Sequence, residues 1–160
     1  MHIHILTTGG TFDKIYHDAL SEFTIGEPMA PELLQEAGVN LSYSVESLLK
    51  KDSLELTDSD RTLLREQVRQ SPHQHILIIH GTDTMTLSAQ QLTGIPNKTI
   101  VFTGAMQPAR MRSSDAPFNL GFAIAALQCL DSGIYIAMNG QVFNTDNVQK
   151  NRQMSRFETL

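Results

Sequence analysis

The feature of the sequence that most constrains its fold is a series of short apolar runs separated by helical patterns. Four runs are nearly continuous in β-branched, aliphatic or aromatic residues, as is typical of parallel strands covered on both faces. They predict strands over residues 2–7, 75–79, 99–103 and 134–138. Residues 41–45 are a weaker candidate for a fifth strand, because their apolar residues alternate with polar ones.

Helical patterns occupy the intervals between these runs. The clearest one begins with an N-cap at Thr57 or Asp58, places Leu64 and Val68 on one face, and stops before Pro72. The sequence predicts helices over residues 31–38, 57–70, 84–92 and about 117–130.

Alternation of strands and helices predicts a single three-layer α/β domain. Its sheet is expected to have about five strands and to be mostly parallel and doubly wound, in the flavodoxin-like manner, with right-handed crossovers. In such folds ligands bind beyond the carboxyl ends of the strands. Polar, glycine-containing loops follow the predicted strands there: TTGGT, HGTDT, TGAMQP and MNGQVFN. This edge of the sheet is therefore the expected site.

Charge and composition exclude several classes of partner. A net charge of -5 argues against nucleic-acid binding, which depends on clustered Lys and Arg. Arg61, Arg65 and Arg69 alternate with Asp60 and Glu66, which predicts a solvated helix face and no basic patch.

The sequence also predicts no association with a membrane. No apolar run approaches the 18 or so residues that a spanning helix needs, and MHIHILTTGG lacks the features of a signal peptide. We therefore expect a cytoplasmic protein. Cys129, the single cysteine, lies in GFAIAALQCL and is expected to be buried in the core.

Common cofactor and metal motifs are missing from the predicted loops. The chain has no G-x-G-x-x-G, no P-loop motif and no G-x-S-x-G. The pairs His2/His4 and His73/His75 have no acidic or cysteine partner at a metal-binding spacing, so structural or surface roles are favoured over metal ligation. His80 is expected to orient its loop, with a role as catalytic base the less favoured alternative. No cofactor and no metal are expected.

Hydroxyl chemistry remains as the interpretation of these loops. Thr11, Thr82, Asp83 and Lys150 are candidates, because a threonine is a poor nucleophile until a neighbouring group takes its proton. Each residue also has a simpler explanation. TTGGT could be only a tight turn, Thr82 and Asp83 could cap the following helix, and Lys150 could be a surface charge.

Two motifs carry a family resemblance. TTGGTFDK and HGTDTM resemble the two signature segments of the bacterial-type L-asparaginase family, whose members act as asparaginases or glutaminases. The likeness continues through TGAMQPARMRSSDAPFNLGFA and through NTDNVQK, which is similar to the family's lysine-bearing loop.

The resemblance implies specific roles. Thr11 would be the nucleophile that attacks the side-chain amide, and Thr82, Asp83 and Lys150 would relay protons and activate water. Ser53 would bind the substrate's α-carboxylate and Asp83 its α-amino group, while backbone N–H groups and Thr82 would hold the oxyanion. The substrate-binding residues implied in this way are Gly10, Ser53, Leu54, Gly81, Thr82, Asp83 and Ala105.

Three departures from the family pattern stand out. Phe23, without a hydroxyl, occupies the place of the usual tyrosine, and Tyr16 on the same loop is a candidate replacement with a catalytic role. Leu54 replaces a residue that is usually polar. The usual C-terminal domain, which gives a glutamate to a neighbouring subunit's site, is absent from residues 1–160. We expect a short single-domain member, with a fragment of a longer chain as the alternative.

The sequence thus predicts an enzyme that converts L-asparagine to L-aspartate and ammonia through a threonyl acyl-enzyme. A glutaminase, an ammonia-releasing amidotransferase subunit and a non-catalytic amino-acid-binding module are the alternatives. The expected partners are a small-molecule substrate and further copies of the chain, in a dimer or tetramer, with no nucleic acid and no membrane.

Overall fold

The central sheet of the protein has six strands. A computed structural model describes all 160 residues. The sheet contains β1 (His2–Gly9), β4 (Ser42–Lys51), β5 (His75–Ile79), β6 (Thr99–Thr103), β7 (Gly133–Met138) and β8 (Gln141–Asn144). Two separate two-stranded hairpins are formed by β2 (Lys14–His17) with β3 (Glu22–Ile25), and by β9 (Gln149–Asn151) with β10 (Arg156–Glu158).

The order of strands in the sheet is β4-β1-β5-β6-β7-β8. The first five strands are parallel, and their order is the flavodoxin-like arrangement expected from the sequence. The chain reverses its direction of winding at β1, between β4 and β5. The loops that leave β1 and β5 therefore lie at the topological switch point, where doubly wound sheets bind ligands.

The prediction of about five strands missed β8, which pairs antiparallel with β7. Its residues lie in MNGQVFN, which was predicted only as a loop. Asn139 and Gly140 have φ values of 54° and 72° and connect the two strands. An Asn-Gly pair of this kind is the usual signal of a two-residue hairpin, so the sequence does carry the evidence for this strand.

Four helices cover the two faces of the sheet. They are α1 (Ala30–Glu36), α2 (Asp58–Gln70), α3 (Met85–Gln91) and α4 (Ala116–Cys129), close to the predicted bounds. Thr57 begins α2 with a capping box, in which its hydroxyl accepts from Asp60 N–H and the Asp60 carboxylate accepts from Thr57 N–H. Short 3₁₀ turns at Thr11–Asp13 and Ser53–Glu55 follow β1 and β4.

Alternate residues of the buried strands face two separate cores. Ile5, Leu77 and Val101 belong to the core with residues of α1 and α4. Leu6, Ile78 and Phe102 belong to the core with residues of α2 and α3. Because both faces are covered, the strands read as continuous apolar runs.

Two predictions about single side chains were wrong. Cys129 is exposed at the last position of α4, because this uncharged helix is apolar on all sides and its composition does not indicate the buried face. Arg61 is buried and not on a solvated face, since it donates to Ser88 Oγ at 3.2 Å and to the Leu56 carbonyl at 3.1 Å.

Candidate active site

Thr11 is presented on a loop that two glycines bend sharply. Gly9 and Gly10 have φ values of 97° and 80°, which side chains rarely allow. A Cβ on Gly10 would lie only 2.5 Å from Gly81 Cα. The loop after β1 and the loop after β5 are therefore in direct backbone contact, and Thr11 follows the first point of that contact while Thr82 follows the second.

Thr11 is half-buried and lines an open cavity of about 290 Å³. It shares this cavity with Lys14 and Phe23 of the β2–β3 hairpin and with the segment 106–108 and Met111. The cavity is lined by a hydroxyl, an ammonium group, an amide side chain and apolar groups, which suits a small polar ligand. A larger cavity of about 480 Å³ next to α1 is lined by Glu32, Glu36, Arg110 and Arg112 among others and contains none of the predicted site residues.

Lys150 joins the hydroxyl and carboxylate groups that follow β5. Its Nζ donates to Thr82 Oγ1 at 2.7 Å and to Asp83 Oδ1 at 2.8 Å. The Lys150 side chain is only 15% exposed, so it is not a surface charge. Arg152 Nη2 lies 3.5 Å from the same oxygen of Asp83, a second cation that was not singled out from the sequence.

The simpler explanation for Thr82 and Asp83 does not hold. Helix α3 begins at Met85 with Thr84 as its N-cap, and no side chain caps it. The side chains of Thr82 and Asp83 are bonded to Lys150, 68 and 67 residues away along the chain. The structure thus brings together three of the predicted residues. None of the three lines the cavity of Thr11, so the link to Thr11 is the contact between Gly10 and Gly81.

His80 holds the loop after β5, as the sequence indicated. It is fully buried, donates from Nδ1 to the Gly81 carbonyl at 2.7 Å and accepts at Nε2 from Ser88 Oγ at 2.8 Å. Burial lowers the pKa of His80 to about 4, so the ring is neutral at pH 7. Both nitrogens are used within the protein, which suits a residue that orients the loop.

Ser53 lies against the same loop from the β4 side. It is buried, and a Cβ on Gly81 would come within 2.8 Å of its hydroxyl oxygen. Thr84 donates to the Ser53 carbonyl at 2.8 Å, and Asp52 caps the turn by accepting from Leu54 N–H at 3.2 Å. Leu54 itself is 63% exposed, so its side chain takes no part in this packing.

A half-buried carboxylate and a buried amide arrange the loop after β6. Asp115 accepts from the N–H groups of Met106 and Gln107 at 2.9 Å each, and Asn119 donates to the Gly104 carbonyl at 2.9 Å. Ala105 between them is buried in the core. Neither Asp115 nor Asn119 was assigned a role from the sequence, although an acid at a helix start with an amide four residues later is a visible signal in SSDAPFN.

The β2–β3 hairpin places its two aromatic residues side by side. Tyr16 and Phe23 are directly opposite each other, with ring centroids 5.3 Å apart. Phe23 lines the cavity of Thr11, whereas Tyr16 is 50% exposed and does not. Directly opposite residues share a face of the hairpin, so Tyr16 lies on the face that borders the cavity.

Asp13 forms the base of this hairpin. Its carboxylate accepts from Met29 N–H at 2.9 Å, and its carbonyl accepts from Gly26 N–H and from Arg110 at the same distance. Burial raises the pKa of Asp13 to about 6, although the Met29 N–H and the positive charge of Arg110 oppose that change. This carboxyl group was not identified from the sequence, because nothing in the TTGGTFDK motif indicates that its side chain points inward.

Comparison with known proteins agrees with this geometry. Residues 2–159 match the family described as "Asparaginase, N-terminal". The chain belongs to the asparaginase family. Among its asparaginase-family relatives is the glutaminase-asparaginase of Acinetobacter glutaminasificans, 30% identical over 77% of this chain and 38% of that protein. Another is a glutamyl-tRNA(Gln) amidotransferase component from Methanococcus maripaludis, 29% identical over 90% of this chain and 36% of that protein.

A solved structure in the asparaginase family is also similar. The thermostable L-asparaginase from Thermococcus kodakarensis superposes with a TM-score of 0.88 and 26% identity, over all of this chain and 51% of that one. The chain therefore spans about half the length, or less, of the family members it matches. No helix is long and apolar enough to cross a membrane. No group of three His, Cys, Asp or Glu side chains is arranged to hold a metal ion.

Proposed function

We propose that this asparaginase-family chain hydrolyses L-asparagine to L-aspartate and ammonia through an acyl-enzyme on Thr11. The observation that carries the proposal is the backbone contact between Gly10 and Gly81. It sets Thr11 beside a Thr82 hydroxyl that is hydrogen-bonded to Lys150 at 2.7 Å. A nucleophile loop and a proton-relay group thus meet at the switch point of the sheet.

The first half of the reaction forms the acyl-enzyme. The Thr11 oxygen attacks the carbon of the side-chain amide, and its proton passes to the nitrogen, which leaves as ammonia. Backbone N–H groups and the Thr82 hydroxyl stabilise the oxyanion, which is the kind of preorganised donor set that usually contributes most to such rates. Tyr16, on the hairpin face that borders the cavity, supplies a further hydroxyl.

The second half of the reaction hydrolyses the ester. A water attacks the acyl carbon, its proton passes through Thr82 Oγ1 to Lys150 in its neutral form, and Thr11 recovers its own proton as it leaves. Asp83, 2.8 Å from Lys150 Nζ, stabilises the ammonium that forms. Ser53 and Asp83 bind the charged groups of the substrate, and these steps call for no cofactor or metal.

Release of ammonia from L-asparagine by the purified chain tests this proposal. Thr11→Ala should lower turnover by at least about three orders of magnitude, as loss of a covalent-catalysis group does. Thr93→Ala, a substitution of an exposed threonine after α3, is the matched control and should leave turnover unchanged. Substantial activity in Thr11→Ala with an unchanged circular dichroism spectrum would contradict the assignment of the nucleophile.

The named relatives support a second candidate, an amidase acting on glutamine. One relative is a glutaminase-asparaginase and another belongs to a glutamyl-tRNA(Gln) amidotransferase. The two substrates differ by one methylene, which a pocket distinguishes by only about 1–3 kcal/mol. The ratio of kcat/KM for L-asparagine and L-glutamine therefore decides between them. Calorimetric binding of L-asparagine without ammonia release would instead favour the binding module.

Two further predictions concern the whole protein. The cytoplasmic location and the homo-oligomeric state, a dimer or tetramer, stay predictions from the sequence. Sedimentation velocity on the purified chain would measure the oligomeric state directly.

A further inference from the structure

Lys14 is the one charged residue that lines the cavity of Thr11. It directly follows the 3₁₀ turn Thr11–Asp13, so it lies three residues after Thr11. Side chains three residues apart on such a turn are nearly eclipsed, which explains why both border the same cavity. The Lys14 side chain is 27% exposed and is thus partly accessible to a ligand.

The ammonium group of Lys14 also reaches the loop that carries Ser53. Its Nζ lies 3.2 Å from Asp52 Oδ2, and Asp52 directly precedes Ser53. Lys14 and Asp52 both line a neighbouring cavity of about 350 Å³. The side chain of Lys14 therefore extends from the nucleophile to the loop on the β4 side.

Asp52 is suited to hold this lysine in place. Its other oxygen accepts from Leu54 N–H, which fixes the carboxylate at the start of the Ser53 turn. Although burial opposes it, the hydrogen bonds from Leu54 N–H and Lys14 keep the pKa of Asp52 below its usual value, with a smaller contribution from the charge of Lys150. Asp52 thus stays ionised and is flanked by two cations.

The Ser53 turn alone offers little to an anion. Ser53 provides one hydroxyl, and the next side chain, Leu54, is apolar and points to solvent. The α-carboxylate of an amino acid is a full negative charge, and hydrogen bonds between charged groups are roughly twice as strong as neutral ones. Among the residues around the cavity, only Lys14 supplies such a bond.

We propose that the Lys14 ammonium binds the α-carboxylate of the amino-acid substrate and that Asp52 positions it for this contact. The inference rests on the proposed amidohydrolase function and adds to it a residue that selects substrates with a free α-carboxylate. Lys14 takes no part in the bond-making steps, so its loss affects KM more than kcat.

Steady-state kinetics on two amides test the inference. The first is L-asparagine, and the second is 3-aminopropanamide, which is asparagine without its α-carboxylate and serves as a competing ligand. Lys14→Met should raise the KM for L-asparagine about 10- to 100-fold, the effect of losing one charge-assisted hydrogen bond, with kcat changed only a few-fold. The inhibition constant of 3-aminopropanamide should stay the same, and Lys14→Arg should recover most of the affinity for L-asparagine.

Lys50→Met is the matched control. Lys50 lines the cavity of about 350 Å³ but not that of Thr11, and it pairs with Glu27, so the KM for L-asparagine should not change. An unchanged KM in Lys14→Met would overturn the inference. Equal weakening of L-asparagine and 3-aminopropanamide would overturn it as well, because that is the result of a general distortion of the hairpin. Asp52→Asn, which keeps the acceptor for Leu54 N–H, should weaken L-asparagine binding in the same direction but less.

Failure of the proposed function gives a different result. If the wild-type chain releases no ammonia from either amide, the amidohydrolase proposal fails and calorimetry decides the role of Lys14. Tighter binding of L-asparagine to the wild type than to Lys14→Met would still support the carboxylate contact. Equal binding, or none, would overturn it.

Discussion

Asp13 should make the protein less stable as the pH rises from about 4 to about 6. The carboxyl group is 1% exposed, and burial raises its pKa from 3.8 to about 6 in the folded chain. Between these two values the folded chain holds a proton that the unfolded chain has released. Unfolding is therefore increasingly favoured as the pH rises through this range, and the loss is complete above about pH 6.

The size of the effect follows from the two pKa values. About 2 pH units separate them, and each unit corresponds to about 1.4 kcal/mol, so the ionised Asp13 costs about 3 kcal/mol of unfolding free energy at pH 7. Asp13→Asn removes the charge and keeps an oxygen that accepts from Met29 N–H. The variant should match the wild type near pH 3 and exceed its stability by up to about 3 kcal/mol at pH 7.

Urea unfolding followed by circular dichroism at several values between pH 3 and pH 7 measures this difference. His80 acts in the opposite direction, because its pKa is lowered to about 4 and the unfolded chain takes up the proton first as the pH falls. His80 is present in both proteins, so its effect cancels in the comparison. Equal m values would show that the same surface is exposed on unfolding. A stability difference that does not vary with pH would refute the reasoning.

Two predictions concern the reaction itself. Thr82→Val and Lys150→Met should be strongly non-additive in kcat, because the two side chains share one hydrogen bond and act as a unit; additive losses would contradict the proton relay. Tyr16→Phe keeps the ring that packs on Phe23 and deletes the hydroxyl, so kcat should fall about 10²-fold with little change in Tm. A near-normal kcat would reduce Tyr16 to a packing residue.

Much of the fold follows from local sequence pattern. The strand ranges 75–79 and 99–103 were predicted without error, because continuous runs of Ile, Leu, Val and Phe leave few alternatives when both faces are covered. The strand over Gln141–Asn144 was missed, although Asn139–Gly140 signals a hairpin, because this edge strand is short and mostly exposed. The burial of Arg61 was also missed, since an arginine on a charged helix face gives no sign that its head group bonds within the protein.

The sequence by itself determined which side chains follow the parallel strands. Strand period and loop composition are local properties, and the carboxyl ends of parallel strands share one edge, so Thr11 and Thr82 were certain to lie near each other once the alternation was recognised. Only the tertiary structure decided which distant groups complete the site. Lys150 reaches Thr82 across 68 residues, and Lys14 reaches Asp52 at 3.2 Å from another element. Such contacts, and the burial that raises the pKa of Asp13, depend on how whole elements pack, which no local stretch of sequence specifies.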